Sequence, residues 1–232
     1  LGLGFIAVII SYLPVLYGGF SNRETSISML DAHAGSPPSA SEWLTRSAGA
    51  REQLQQYLAD WERWSATLLE SHISYPVLGY FRSQHVNQSW LAALTAVLDT
   101  CALLIAGTED GCASQARLTF AMARHSVVDL AQIFIQAVPQ DIPERLPAAD
   151  LASLRARLDA AGLRLRLEPE AVRELEGLRR MYEPHVLAIG AHLKLDVPAW
   201  IGDPNASDNW QRSPWDRLGR AQRLPPVGER HF

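Results

Sequence analysis

The sequence predicts an all-α protein: one N-terminal transmembrane helix, a soluble helical bundle, and a loop-rich basic C-terminal tail. Three observations predict it. Residues 1–20, LGLGFIAVIISYLPVLYGGF, carry no charge. Nearly every periodic segment after them repeats its apolar residues at the three-and-four spacing of a helix. From Val197 the chain reads as loop, and its last stretch sets Arg212, Arg217, Arg220, Arg223 and Arg230 against Asp216 and Glu229.

Wound as a helix at ~1.5 Å per residue, a run as long as residues 1–20 covers roughly 30 Å, the thickness of a bilayer's hydrocarbon core. No basic residue precedes the run and no Ala-x-Ala precedes Tyr-Gly-Gly-Phe-Ser, so the signal-peptide pattern is not met. A buried soluble helix is the rival reading, supported by Ser11, Tyr12 and Pro14. Arg23, followed at once by Glu24, leans toward a cytoplasmic location for what comes next. Residues 22–32 extend the helix until Gly35-Ser36-Pro37-Pro38 breaks it. Ser39 or Ser41 then offers an N-cap, with Glu42 three residues after Ser39 at capping-box spacing.

Residues 51–71 place Leu54, Tyr57, Trp61, Trp64 and Leu68 on one seam. Tyr75-Pro76 opens a short helix with Pro in its first turn. Residues 88–106 are apolar nearly all round and end at Gly107, with Asp99 near the middle. Residues 114–137 carry Phe120, Ala123, Val127, Leu130 and Phe134 at 3,4,3,4 spacing. A helix apolar on all sides belongs to a bundle centre or a membrane. Asp99, with Arg124, His125 and Asp129 in the next helix, argues against lipid, where each such group costs several kcal/mol. These two helices are therefore expected as the core hairpin of a soluble bundle.

Residues 140–147 form a Pro-containing connector, and 148–161 a modest amphipathic helix closed by Gly162. Residues 163–167 alternate Leu and Arg but have no partner strand, so they read as an extended linker. Pro169 opens a helix with Leu175, Leu178, Tyr182, His185, Ile189 and His192 on one seam, bent at Pro184. Trp200, Trp210 and Trp215 stand out in the tail, because tryptophans there usually cap something. The organisation expected is a membrane helix at 1–22, a juxtamembrane helix and linker at 23–49, a core bundle at 50–138, peripheral helices at 139–196 and a tail at 197–232.

Two stretches carry a resemblance. GLGFIAVIISYLPVLYGGFSNRE with SISMLDAHAGSPPSASEWL, and ESHISYPVLGYFRSQHVNQSWLAALTAVLDTCALLIAG from residue 70 on, resemble a bacterial ion channel-like family with a two-helix potassium-channel-type pore. The resemblance implies that residues 1–20 are the inner pore helix and that the rest is cytosolic, in a homo-oligomer in the inner membrane with potassium ion and membrane lipid as partners. It implies no enzyme activity and no cofactor. The sequence holds no Thr-x-Gly-Tyr-Gly-type filter, the carbonyl ring that selects potassium. The chain opens on Leu, and the resemblance puts that filter upstream of it. In the membrane helix, Gly2 and Gly4 would permit close helix approach, and Pro14 removes a backbone hydrogen bond. Pro14 reads equally as a gate bend and as a kink at the membrane exit.

The net charge of −4 offers polyanions no footprint, so nucleic acid is not an expected partner. Cys101 and Cys112 fit no C-x-x-C pattern, and a disulfide framework is unsupported, in keeping with a reducing cytoplasm. His125 and Asp129 lie one turn apart, with Asp99 within reach from the preceding helix, and the three are expected to form a buried structural network. Its rival is a metal site or enzyme centre of a membrane-anchored sensor or enzyme, drawing on His72, His85, Asp99, His125 and Asp129; a purely structural, partner-binding helical domain on the anchor is the third reading. No Glu-x-x-His or His-Glu-x-x-His supports that rival. His185 and His192 stand ~10 Å apart along a helix and cannot share an ion. Cys101 reads as core packing. A Gly-x-Gly nucleotide loop at residues 2–4 fails for want of a preceding strand, and no Gly-x-Ser-x-Gly elbow supports a hydrolase.

Overall fold

The computed structural model describes residues 2–203 apart from 86, 109, 110, 140 and 167; for residues 2–9 and 111 it describes the backbone alone. Among these residues every regular element is a helix, and there is no strand. Helix α1 (Gly2–Ala34) runs unbroken through Pro14. It ends where Gly35 takes φ +80, a left-handed conformation that glycine adopts without a Cβ penalty. Arg46 donates to the last-turn carbonyls of Asp31 and Ala32, at 3.3 and 2.8 Å. Ser39 caps α2 (Ala40–Arg46) by accepting from the Glu42 amide.

Helix α3 (Arg51–Ser74) buries Leu54, Leu58, Trp61, Trp64, Leu68, Leu69 and His72, a wider stripe than the expected seam, with Tyr57 half-buried at its edge. A single 3-10 turn, Pro76–Tyr80, follows with Pro at its start. Ser89 accepts from the Ala92 amide at 3.0 Å to begin α4 (Trp90–Gly107), and α5 (Gly111–Phe134) follows after a three-residue link. Helices α6 (Ala148–Ala160), α7 (Pro169–Arg180) and α8 (Glu183–Leu193) complete the order. The bend expected at Pro184 is a full break, with Pro184 in the first turn of α8.

Helix α4 is long and apolar enough to span a membrane, with a mean hydropathy of 1.8, yet every one of its residues is buried inside the protein. It is the centre of the bundle: α1, α2, α3, α5, α7 and α8 all pack against it. The most extensive pairing is α3 with α5, made close by a stripe of small residues, Ala116, Thr119, Ala123 and Ser126. Thr119 and Ser126 donate across the seam to the carbonyls of Leu58 and Ser65, at 2.9 and 3.0 Å. Their hydroxyls thus find partners that the apolar core would otherwise deny them. Residues 163–166 lie in no helix or strand, and the Arg166 amide donates to the carbonyl of Gly107 at 3.0 Å. Gly107 lets it approach, because a Cβ there would meet Leu165 Cβ at 2.9 Å.

One hydrophobic core reaches from Ile27 to Trp200 and so crosses the expected boundaries at 49, 138 and 196. Across 138 and 196 the joining residues answer the lone acid of α4.

Candidate functional site

Asp99 projects from the middle of α4 at 1% exposure and needs a counter-charge there. The connector between α5 and α6 supplies it. Arg145 grips both carboxylate oxygens, Nη1 at 3.2 Å to Oδ1 and Nη2 at 2.8 Å to Oδ2, in the paired geometry that suits a guanidinium. The Tyr182 hydroxyl donates to Asp99 Oδ1. Arg145 also donates to Glu183 Oε1 and to the Pro198 carbonyl, each at 2.8 Å. Arg179, from the last turn of α7, donates to both oxygens of Glu183 at 3.1 Å and pairs with Glu144 at the surface. Trp200 closes the cluster: its ring faces the Arg145 and Arg179 guanidinium carbons at 5.7 and 5.6 Å, and its Nε1–H donates to Glu183.

Burial opposes the charge on Arg145, but Asp99, Tyr182 and Glu183 outweigh it and hold the guanidinium above its ordinary pKa. Burial, reinforced by Asp99, pushes the Tyr182 phenol well up. The hydrogen bond from Arg179 holds Glu144 below the usual carboxylate range. Arg145 is thereby held charged and Tyr182 neutral, which suits a structural keystone. A cavity of about 460 Å³ lies alongside, lined by Leu146, Val172 and Leu175 with Glu144, Arg179 and Glu183 on its polar side.

The expected network of Asp99, His125 and Asp129 divides in two. His125 and Asp129 pair at 3.5 Å on the outer face of α5, where His125 is 60% exposed. The expected network does not form, because α5 turns its small-residue and Phe120 stripes inward and leaves this pair outside, while Asp99 meets Arg145 and Tyr182 instead. The alternative set does not converge either, since His72 is buried beside Arg23 and His85 is exposed. Among the described residues no group of three or more His, Cys, Asp or Glu could hold a metal ion. Cys101 is buried, forms no disulfide, and has its thiol pushed up by burial. Gly2 and Gly4 lie in the first turns of α1, and Trp210, Trp215 and the arginines from 212 onward lie outside the described residues.

A second buried charge joins α1 to the body. Arg23 donates through Nη1 to the Leu78 carbonyl and through Nη2 to the Phe81 carbonyl, each at 2.8 Å, and through Nε to Glu24. Its Nη1 also faces His72 Nε2 at 3.3 Å, while His72 Nδ1 meets the Leu68 carbonyl at 2.8 Å. An arginine has no lone pair to offer, so His72 accepts at Nε2 and carries its proton on Nδ1. Burial, followed by the Arg23 charge, lowers the His72 pKa to about 4.

Arg145, Arg179, Tyr182, Glu183 and Trp200 escaped the sequence reading as a site. The one signal available was the demand that Asp99 makes for a cation, and the Pro-Glu-Arg-Leu-Pro connector held it. No family model, curated protein or solved structure matches the chain.

Proposed function

We propose that this chain is the C-terminal portion of an ion channel-like membrane protein of the potassium-channel type, in which α1 is an inner pore helix and the helical body regulates or assembles the pore from the cytoplasm. On this reading it works as a homo-oligomer in a bacterial inner membrane, with lipid and potassium as partners, and performs no catalysis. The observation that carries the membrane half is the split character of α1. Ile10, Leu13 and Tyr17 are 66, 61 and 66% exposed, although Ile27 and Leu30 of the same helix are in the core. A run of large apolar side chains facing outward on the uncharged segment before Arg23 calls for a non-aqueous cover.

The continuity of α1 supports the coupling half. Leu16 is its first described side chain to be buried, two residues past Pro14. The proline therefore stands where the helix leaves the body, the position at which a bend would redirect the outer segment without disturbing the core. From Leu16 on, Arg23, Ile27 and Leu30 fix the helix to its surroundings, so a movement of the outer segment reaches the body through one rigid element.

Two measurements test the two halves separately. The full chain expressed in bacteria should stay with the membrane pellet after a carbonate wash, and its release would overturn the anchor. The coding sequence immediately upstream of Leu1 should encode a Thr-x-Gly-Tyr-Gly-type filter, and another sequence there would overturn the pore. The chain reconstituted alone should give no potassium-selective current, and such a current would refute the assignment of selectivity to a separate filter.

A further inference from the structure

The end of α3 and the 3-10 turn after it present a cluster of outward apolar side chains: Ile73, Val77, Tyr80 and Phe81 are 47, 41, 57 and 38% exposed. This cluster is continuous with the exposed part of α1. Tyr12 packs edge-on against Tyr75 at 5.4 Å between ring centroids, and Phe20 against Phe81 at 6.0 Å. Arg23 ties the same turn to α1 through the carbonyls of Leu78 and Phe81. The 3-10 turn is therefore held at a fixed level along α1, between Tyr12 and Arg23. We propose that this aromatic collar is a membrane-contact surface, which seats the helical body in the headgroup layer of the bilayer that α1 enters.

The proposal rests on the reading of α1 as a membrane helix, and the residue chemistry takes it further. Tyrosine rings with one wet end gather at the interface between hydrocarbon and water, and Tyr12, Tyr17, Tyr75 and Tyr80 fall within this one region. Arg82, at the collar's rim, is exposed and donates to the Leu193 and Lys194 carbonyls, so its cation and that of exposed Lys194 lie near anionic headgroups. Tyr75 packs on Tyr12 and Phe81 on Phe20, so the collar flanks the last turns of the apolar run, residues 12–20, and stops short of Arg23. Arg23 then serves as a buried latch rather than a headgroup contact.

The test uses the full chain, whose own cysteines, Cys101 and Cys112, are both buried. An environment-sensitive thiol dye is placed at Leu13→Cys, at Val77→Cys and, as a solvent reference, at Asp60→Cys. Each labelled protein is reconstituted into phosphatidylethanolamine–phosphatidylglycerol vesicles with spin-labelled lipid carrying the quencher either at the headgroup or deep in the acyl chain. The expected result is quenching at 13 by both lipids, quenching at 77 by the headgroup-labelled lipid with blue-shifted emission, and none at 60. Quenching at 13 without quenching at 77 overturns the collar while leaving the anchor standing. No quenching at either overturns both, and quenching at 77 alone keeps the collar and removes the span. A dye at 77 that is shielded in proportion to protein concentration, without lipid quenching, assigns the patch to a second copy of the chain and overturns the proposal.

Discussion

Asp99 is the only charged residue between 90 and 107, and its partners decide what its removal costs. In Asp99→Ala, Arg145 and Tyr182 lose their acceptor in a buried setting, and stability should fall by about 3–5 kcal/mol in a denaturant titration. Asp99→Leu combined with Arg145→Met removes both charges and leaves Glu183 with Arg179. It should recover a good part of that loss, and a strictly additive double variant would show that the two residues are not coupled. His72 gives a pH dependence whose sign is fixed. Its folded pKa of about 4 lies below the ordinary 6.5, so the unfolded chain binds more protons between those values. Stability is complete above 6.5 and is lost as pH falls toward 4, by roughly 3 kcal/mol over the window. Burial moves His33 and His185 in the same direction, but both are half-exposed and contribute less. The charged groups facing His72 are Arg23 and, beyond it, Glu24. His72→Gln should flatten most of the slope between pH 6.5 and 4, and an unchanged slope would move its origin elsewhere.

At the level of elements, a left-handed residue limits α8. Lys194 ends the helix at φ +56, and the Leu195 amide reaches back to the Gly190 carbonyl at 3.0 Å, the bond pattern of a Schellman close. A lysine pays a steric penalty in that conformation which glycine does not. Lys194→Gly should therefore raise stability by about 0.5–1 kcal/mol, read as a higher melting temperature; a fall would mean that the lysine side chain supports α8 in another way. The same comparison explains what could be read from the sequence. Helix starts with a local chemical signal were legible, as Ser39 and Pro169 illustrate, and so were ends with glycine, at Gly107 and Gly162. The centrality of α4 was legible too, since an all-apolar helix with one acid has few homes. Which residue would answer Asp99 was not, because Arg145 is separated from it by 46 residues and sits in a connector without periodicity. Likewise Trp200 lies in a stretch that reads as loop and is held by backbone bonds no pattern encodes: its carbonyl accepts from Ser41, and the Gly202 amide donates to the Ser41 hydroxyl.

For the molecule as a whole, the outward and the packed parts of α1 meet at a place that truncation can locate. Residues 10–15 are exposed, whereas Leu16 is buried, Phe20 stacks on Phe81, and Arg23 holds the 3-10 turn. Removing residues 1–15 deletes the outward segment with its Tyr12–Tyr75 ring contact and leaves each of the contacts from Leu16 onward in place. That variant should keep its helical circular dichroism and melt close to the full chain. It should also move from the carbonate-resistant pellet to the supernatant, because the collar alone offers only a reversible hold on lipid. Removing residues 1–22 goes further and strips Leu16 and Phe20 from the body. Losing a buried leucine costs roughly 2–5 kcal/mol, so this shorter protein should melt clearly below the 1–15 deletion although it differs by only seven residues. If the two truncations melt alike, the body does not extend to Leu16, and the junction has been placed too early. If the 1–15 deletion resists carbonate, a membrane-spanning segment lies elsewhere in the chain and the single-helix anchor is wrong.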